Sequence, residues 1–216
     1  MIQTPASRAE APELETLREQ LLHLGLSQAA GVLGHELSEA VQHQRPPHRL
    51  LHQLLSQEID HREERRIKAG LRWAGLPTGM TLENFDFGFQ PAVDRRQIET
   101  LATCSFVAEA MSVLLLGPPG VGKTHLAVAL GIAAIQRGFS VAFYRFDELL
   151  HQMRKDADVP VSRLRQKKYL KAAYLIVDEV GFDALNRADA SLFFRLVSHR
   201  YARSAIAITA NKNVKE

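Results

Sequence analysis

Cysteine is almost missing from this chain: Cys104 is the only one in 216 residues. A lone cysteine excludes an internal disulfide framework and suits a reducing compartment, so a cytoplasmic protein is expected. Long apolar runs are missing too. None approaches the roughly 20 residues that a membrane-spanning helix needs, and no membrane partner is expected. The N-terminus lacks a charged start followed by an apolar stretch, so no secretory signal is expected. No internal repeat or low-complexity segment is evident. A large charge excess is absent as well: 27 Lys and Arg stand against 24 Asp and Glu, a net +3. That balance permits a nucleic-acid partner without requiring one. His48 and His52 sit one helical turn apart, but no carboxylate or cysteine nearby completes a metal-ligand pattern. What is plentiful is apolar residues, 46% of the chain. They suffice for one large domain and a small one.

The run Gly117, Pro118, Pro119, Gly120, Val121, Gly122, Lys123, Thr124 fits G-x-x-x-x-G-K-[ST] at every fixed position. Glycines let the backbone curl until several N–H groups face one anion, a path that Cβ-bearing residues follow only under strain. In this P-loop pattern Lys123 reaches the β- and γ-phosphates of a nucleoside triphosphate and Thr124 offers its hydroxyl to Mg²⁺. Val113 to Leu116 precede the loop as a short buried strand. Leu126, Val128, Leu130 and Ile132 follow it as a helix packed on a sheet, stopped by Gly138. The positive end of that helix's dipole adds to the anion site.

A second site lies about 55 residues beyond Lys123, at Tyr174 to Glu179. An apolar strand ending in Asp178 and Glu179 is a Walker-B pattern. Asp178 enters the Mg²⁺ shell, and Glu179 polarises the attacking water as the catalytic base. The pair favours hydrolysis over binding alone. A further strand, Ala205 to Ala210, delivers Asn211 to the same end of the sheet, where a polar side chain can hold the water and γ-phosphate.

The remaining chain divides by composition. Residues 1–10 read as frayed, and three leucine-striped helices follow, one opening at Pro12 and one capped by Ser27. A small all-helical domain over 1–68 is expected, its stripes serving as its own core or as a docking face for a partner protein. Gly70, Gly75, Pro77 and Gly79 mark a linker over 69–80. Residues 81–216 form the α/β domain. Phe85 and Phe87 at its start serve either core packing or contact with the adenine ring. Ahead of the Walker-B strand lies a basic helical stretch with Arg154, Lys155, Arg163, Arg165, Lys167, Lys168 and Lys171. Tyr169 is its one aromatic, so base readout is not expected. It is either a solvated face or a surface for phosphate-backbone contact with low sequence preference.

Taken together, Leu82 to Phe87, Gly117 to His125, Asp178 to Gly181, Arg200 with Tyr201, and Thr209 to Lys212 resemble the insertion-sequence helper ATPases (IstB-like). These are relatives of the DnaC-type replicative helicase loaders in the AAA+ superfamily. The resemblance implies a P-loop parallel sheet sandwiched by helices, behind a small helical N-terminal domain. It implies an ATPase with ATP and Mg²⁺ as cofactors. Gly117 to His125 would bind nucleotide, Thr124 and Asp178 the metal, and Lys123, Glu179 and the sensor Asn211 would be catalytic. Arg200 looks like an arginine finger given to the ATP of a neighbouring subunit in a homo-oligomer, with Arg195 and Arg203 as competitors. Implied partners are DNA and either a transposase, in DNA transposition, or a replicative helicase, in DNA replication. The family continues past a point corresponding to Glu216 with a fifth strand and a lid. Without them the P-loop strand is expected at a sheet edge, and a non-hydrolysing nucleotide-binding remnant is the alternative reading.

Overall fold

The computed structural model describes residues 6–181 and 185–211. Lys212, quoted for the resemblance, lies outside them. The chain forms two compact units, Met1–Arg66 and Ile67–Glu216.

The first unit contains helices α1 (Ala6–His23), α2 (Ser27–Gln42) and most of α3 (Pro47–Ala74). Helix α1 runs through Pro12 instead of opening at it. Gly25, with φ of +72°, ends it. The Leu26 N–H donates to the Leu21 carbonyl and that of Gly25 to Leu22, a Schellman closure. Ala29, Leu33 and Leu54 form the buried centre, with Leu21, Leu26, Leu37 and Leu50 packed around them. The expected Ser27 cap is not used. Ser27 is already the first helical residue, and the Glu58 carboxylate of α3 accepts from the N–H groups of Gln28 (2.8 Å) and Ala29 (3.1 Å) instead. Burial pushes the Glu58 pKa up, but these bonds and the Arg62 guanidinium at 2.9 Å outweigh it and hold it below the usual value.

The expected linker is half helix. Helix α3 continues through Gly70 to Ala74 and stops at Gly75, whose φ is +71°. Gly70 is there for closeness: a Cβ would lie 2.8 Å from Cγ2 of Ile135.

Beyond the short helices α4 (Arg95–Leu101) and α5 (Ser105–Ala108), strand and helix alternate. The order is β1 (Ser112–Leu116), α6 (Lys123–Gln136), β2 (Val141–Arg145), α7 (Phe146–Lys155), α8 (Val161–Leu164), α9 (Lys168–Lys171), β3 (Tyr174–Val180), α10 (Arg187–Arg200) and β4 (Ala205–Ala210). The four strands are parallel in the order β1-β4-β3-β2. Side chains alternate across β3: Tyr174 and Ile176 join the core under α6, Leu175 and Val177 the core under α7 and α10. Both faces of the sheet are therefore covered by helices, as all-parallel sheets require. β1 lies at an edge, with Leu114 exposed by 58%.

Cys104 is buried between α4 and α5, and burial raises its thiol pKa. The basic stretch is three short helices rather than one face. Arg154 pairs bidentately with Asp189 of α10, Lys167 with buried Asp156, and Lys168 donates to the Ala74 carbonyl. Lys155, Arg163, Arg165 and Lys171 remain exposed.

Candidate nucleotide site

Parallel strands place all their carboxyl ends on one side of the sheet, where such folds bind ligands. The P-loop leaves β1 there, Asp178 and Glu179 close β3 there, and Asn211 follows β4 there. Leu116 pairs with Ala210, and the Gly117 N–H reaches the Ala210 carbonyl at 3.4 Å. The start of the loop and Asn211 are thus neighbours across one ladder.

The loop owes its path to glycine. Gly120 and Gly122 have φ of +81° and +86°, a region that L side chains enter only at a steric cost. Gly122 has a second reason: a Cβ would sit 2.5 Å from the Phe85 ring. Phe85 is buried against Ile98 and Leu126 and meets His125 edge-on. It packs as a buttress beneath the loop. His125 donates Nε2–H to the Thr81 carbonyl at 2.7 Å. Its ring therefore fastens the Thr81 to Phe87 segment to the first turn of α6, while its backbone stays with the loop.

Lys123 folds back over the loop, its Nζ donating to the carbonyls of Gly117 (2.9 Å) and Pro118 (2.8 Å). Burial lowers its pKa, partly countered by Asp178. The Thr124 hydroxyl donates to Asp178 Oδ1 at 2.8 Å. An alcohol and a carboxylate that close, beside an anion cradle, form the all-oxygen donor set of a hard cation, which takes its remaining ligands from water and phosphate. The residues present therefore fit Mg²⁺.

Two contributors escaped the sequence reading. Thr209 of β4 donates its hydroxyl to the same Asp178 Oδ1 at 2.5 Å and accepts from the Glu179 N–H at 2.9 Å. The pairing of β3 with β4 slips here, two β3 residues, Asp178 and Glu179, standing against the single Thr209 of β4 between the Val177 and Val180 pairs, and Glu179 has φ of +62°. Such a bulge re-aims a side chain. The Glu179 carboxylate turns to Arg145 at the end of β2, 2.6 Å away, and Arg145 also lies 3.7 Å from Asp147. An acid-ended strand with a hydroxyl residue on the neighbouring strand was the available signal for Thr209. Nothing in the sequence singled out Arg145.

Arg200 corrects an expectation. Its side chain is wholly buried, and the guanidinium donates to the carbonyls of Tyr169 (3.0 Å), Ala172 (2.9 Å) and Ala205 (2.6 Å). Burial pushes its pKa down to about 10. It ties α9 and β3 to β4 and is not presented to a neighbouring molecule, so it is no arginine finger here.

A helix-covered parallel sheet with a P-loop after β1 and an acidic pair ending β3 is a P-loop nucleotide-binding fold. AMPPCP-bound DnaA from Aquifex aeolicus shares that fold, with a TM-score of 0.53 over 63% of this chain and 43% of that one at 23% identity. More narrowly, residues 19–216 match the family of IstB-like ATP-binding proteins, and the chain belongs to it. The chain is 44% identical over 158 residues to a Pseudomonas aeruginosa protein described as the ATP-binding protein of insertion sequence IS21, covering 73% of this chain and 60% of that protein. It is 33% identical over 201 residues to the corresponding protein of insertion sequence IS232 from Bacillus thuringiensis subsp. berliner, covering 93% and 80%. The chain thus spans about three fifths of the Pseudomonas relative's length.

Proposed function

We propose that this protein is an ATP-hydrolysing helper of DNA transposition, which assembles as several copies on DNA with ATP bound and recruits a transposase. The observation that carries the ATPase part is the Thr124–Asp178 contact beneath the P-loop, with Glu179 beside it. The loop amides and Lys123 bind the triphosphate tail, the ammonium group leaving the carbonyls of Gly117 and Pro118. Thr124 and Asp178 would hold Mg²⁺, which offsets phosphate charge as the γ-phosphoryl departs. Glu179 accepts the proton of the attacking water once it leaves Arg145. Asn211, at the tip of β4, orients that water. The transposition part is supported by the relatives, whose descriptions place them in insertion sequences. The DNA part is supported by the exposed Lys155, Arg163 and Lys171.

Two variants test the site. Lys123→Ala is expected to weaken binding of a fluorescent ATP analogue by at least tenfold. Glu179→Gln is expected to keep binding and lose at least a hundredfold in phosphate release. Unchanged analogue affinity in the lysine variant overturns the nucleotide site, and undiminished turnover in the glutamine variant overturns the assigned base. For DNA, affinity for a duplex measured against salt is expected to fall steeply and to depend on ATP. A flat, ATP-independent response removes the DNA part.

A further inference from the structure

A cleft of about 340 Å³ lies between the end of α7, the α8–α9 segment and α10, far from the P-loop in sequence and on other elements. It is far larger than the ~30 Å³ share of one water. Its lining includes Leu164, Leu170, Leu192 and Leu196. Arg165, Arg195 and Arg203 also line it, all three exposed. Three other arginines of this domain do have partners: Arg145 with Glu179, Arg154 with Asp189, Arg200 with carbonyls. No described carboxylate pairs with the three at the cleft. The one carboxylate in the lining, Asp156, is already satisfied by Lys167 at 2.7 Å, by the Tyr169 hydroxyl and by Gln152. The field is felt by His199 in the same lining, whose pKa falls through burial and then through Arg203, Arg165 and Arg200.

We propose that this leucine-lined, arginine-bearing cleft is the docking site for an acidic segment of a partner protein, anchored by one large apolar side chain. Unpaired guanidiniums suit carboxylates, which they grip with two parallel hydrogen bonds. The leucines decide between macromolecules. Duplex DNA offers phosphates to arginines, but its apolar groups are thymine methyls set within the major groove, whereas an acidic peptide with a phenylalanine or leucine offers a carboxylate and a projecting apolar side chain together. Aromatic and arginine side chains are enriched at protein interfaces and dominate their binding energy. This site stands apart from the nucleotide reading, so either can fail while the other holds.

The test uses the full chain and a fluorescein-labelled twelve-residue peptide of aspartate and glutamate around one central phenylalanine, followed by anisotropy. Saturable binding is expected, weakened at least tenfold when the phenylalanine becomes serine and at least tenfold in the doubly substituted Arg195→Glu, Arg203→Glu protein. An unchanged urea midpoint shows that this variant remains folded. No binding of the acidic peptide overturns the proposal. So does equal binding of the serine peptide, which reduces the effect to charge, or undiminished binding by the double variant. If that variant instead loses affinity tenfold for a 20-base-pair duplex while the peptide does not bind, the cleft is a nucleic-acid surface. If it loses self-association in sedimentation and the peptide does not compete, the occupant is a second copy of this chain.

Discussion

Asp178 receives two hydroxyls on one oxygen, from Thr124 and Thr209, and their roles differ. Under the proposed function Thr124 would share a cation with Asp178, whereas Thr209 would only orient the carboxylate. Groups that orient a metal ligand are commonly worth 10–100-fold in metal affinity. Thr209→Val is therefore expected to weaken Mg²⁺-dependent binding of an ATP analogue about tenfold while leaving metal-free binding nearly unchanged; titration calorimetry with and without Mg²⁺ distinguishes the two. Arg200 gives the opposite signature. Removing its guanidinium orphans buried carbonyls, each such bond to a charged group contributing ~1.5–3 kcal/mol. Arg200→Met is expected to cost ~3 kcal/mol or more in urea unfolding. A finger residue would lower turnover with no change in the unfolding midpoint.

Among elements, the start of α2 isolates the value of one cap. Ser27→Ala is expected to change stability by less than ~0.5 kcal/mol, because Ser27 caps nothing. Glu58→Gln is expected to cost ~1 kcal/mol, as lost caps do, read from hydrogen exchange of the first α2 amides at pH 7. The Glu58 pKa is lowered in the fold, so its contribution is full above the ordinary 4.5 and disappears as pH falls below it. The two proteins should therefore converge in acid. The same elements show what could be read in advance. β4 begins and ends at Ala205 and Ala210 as expected, because apolar runs bounded by turn residues are unambiguous in a parallel sheet. The P-loop and the acidic pair were legible for the same reason: local chemistry fixes their spacing. The helical run through Gly70 was not, since that glycine marks a close approach to Ile135 and not a break. The α2 cap, the bulge at Glu179 and Arg145 depend on partners 29 or more residues away, and no local pattern encodes a distant partner.

On the scale of the whole molecule, two units with separate cores predict separate responses to ligand. A saturating ATP analogue at about a hundred times its Kd adds ~2.7 kcal/mol to the unit that binds it. Exchange protection is expected to rise across the sheet and α6 and to stay unchanged in α1 and α2; a uniform rise through both would contradict independent cores.

The arrival of β4 has a consequence for biosynthesis. Lys123 and Thr124 are translated about 85 residues before Thr209, yet Asp178 and Glu179 take their positions from that threonine. A nascent chain can display its glycine loop long before the ribosome has supplied the strand that sets the acidic pair. The proposed grip on nucleotide and metal would therefore wait for β4, the strand that enters between β1 and β3.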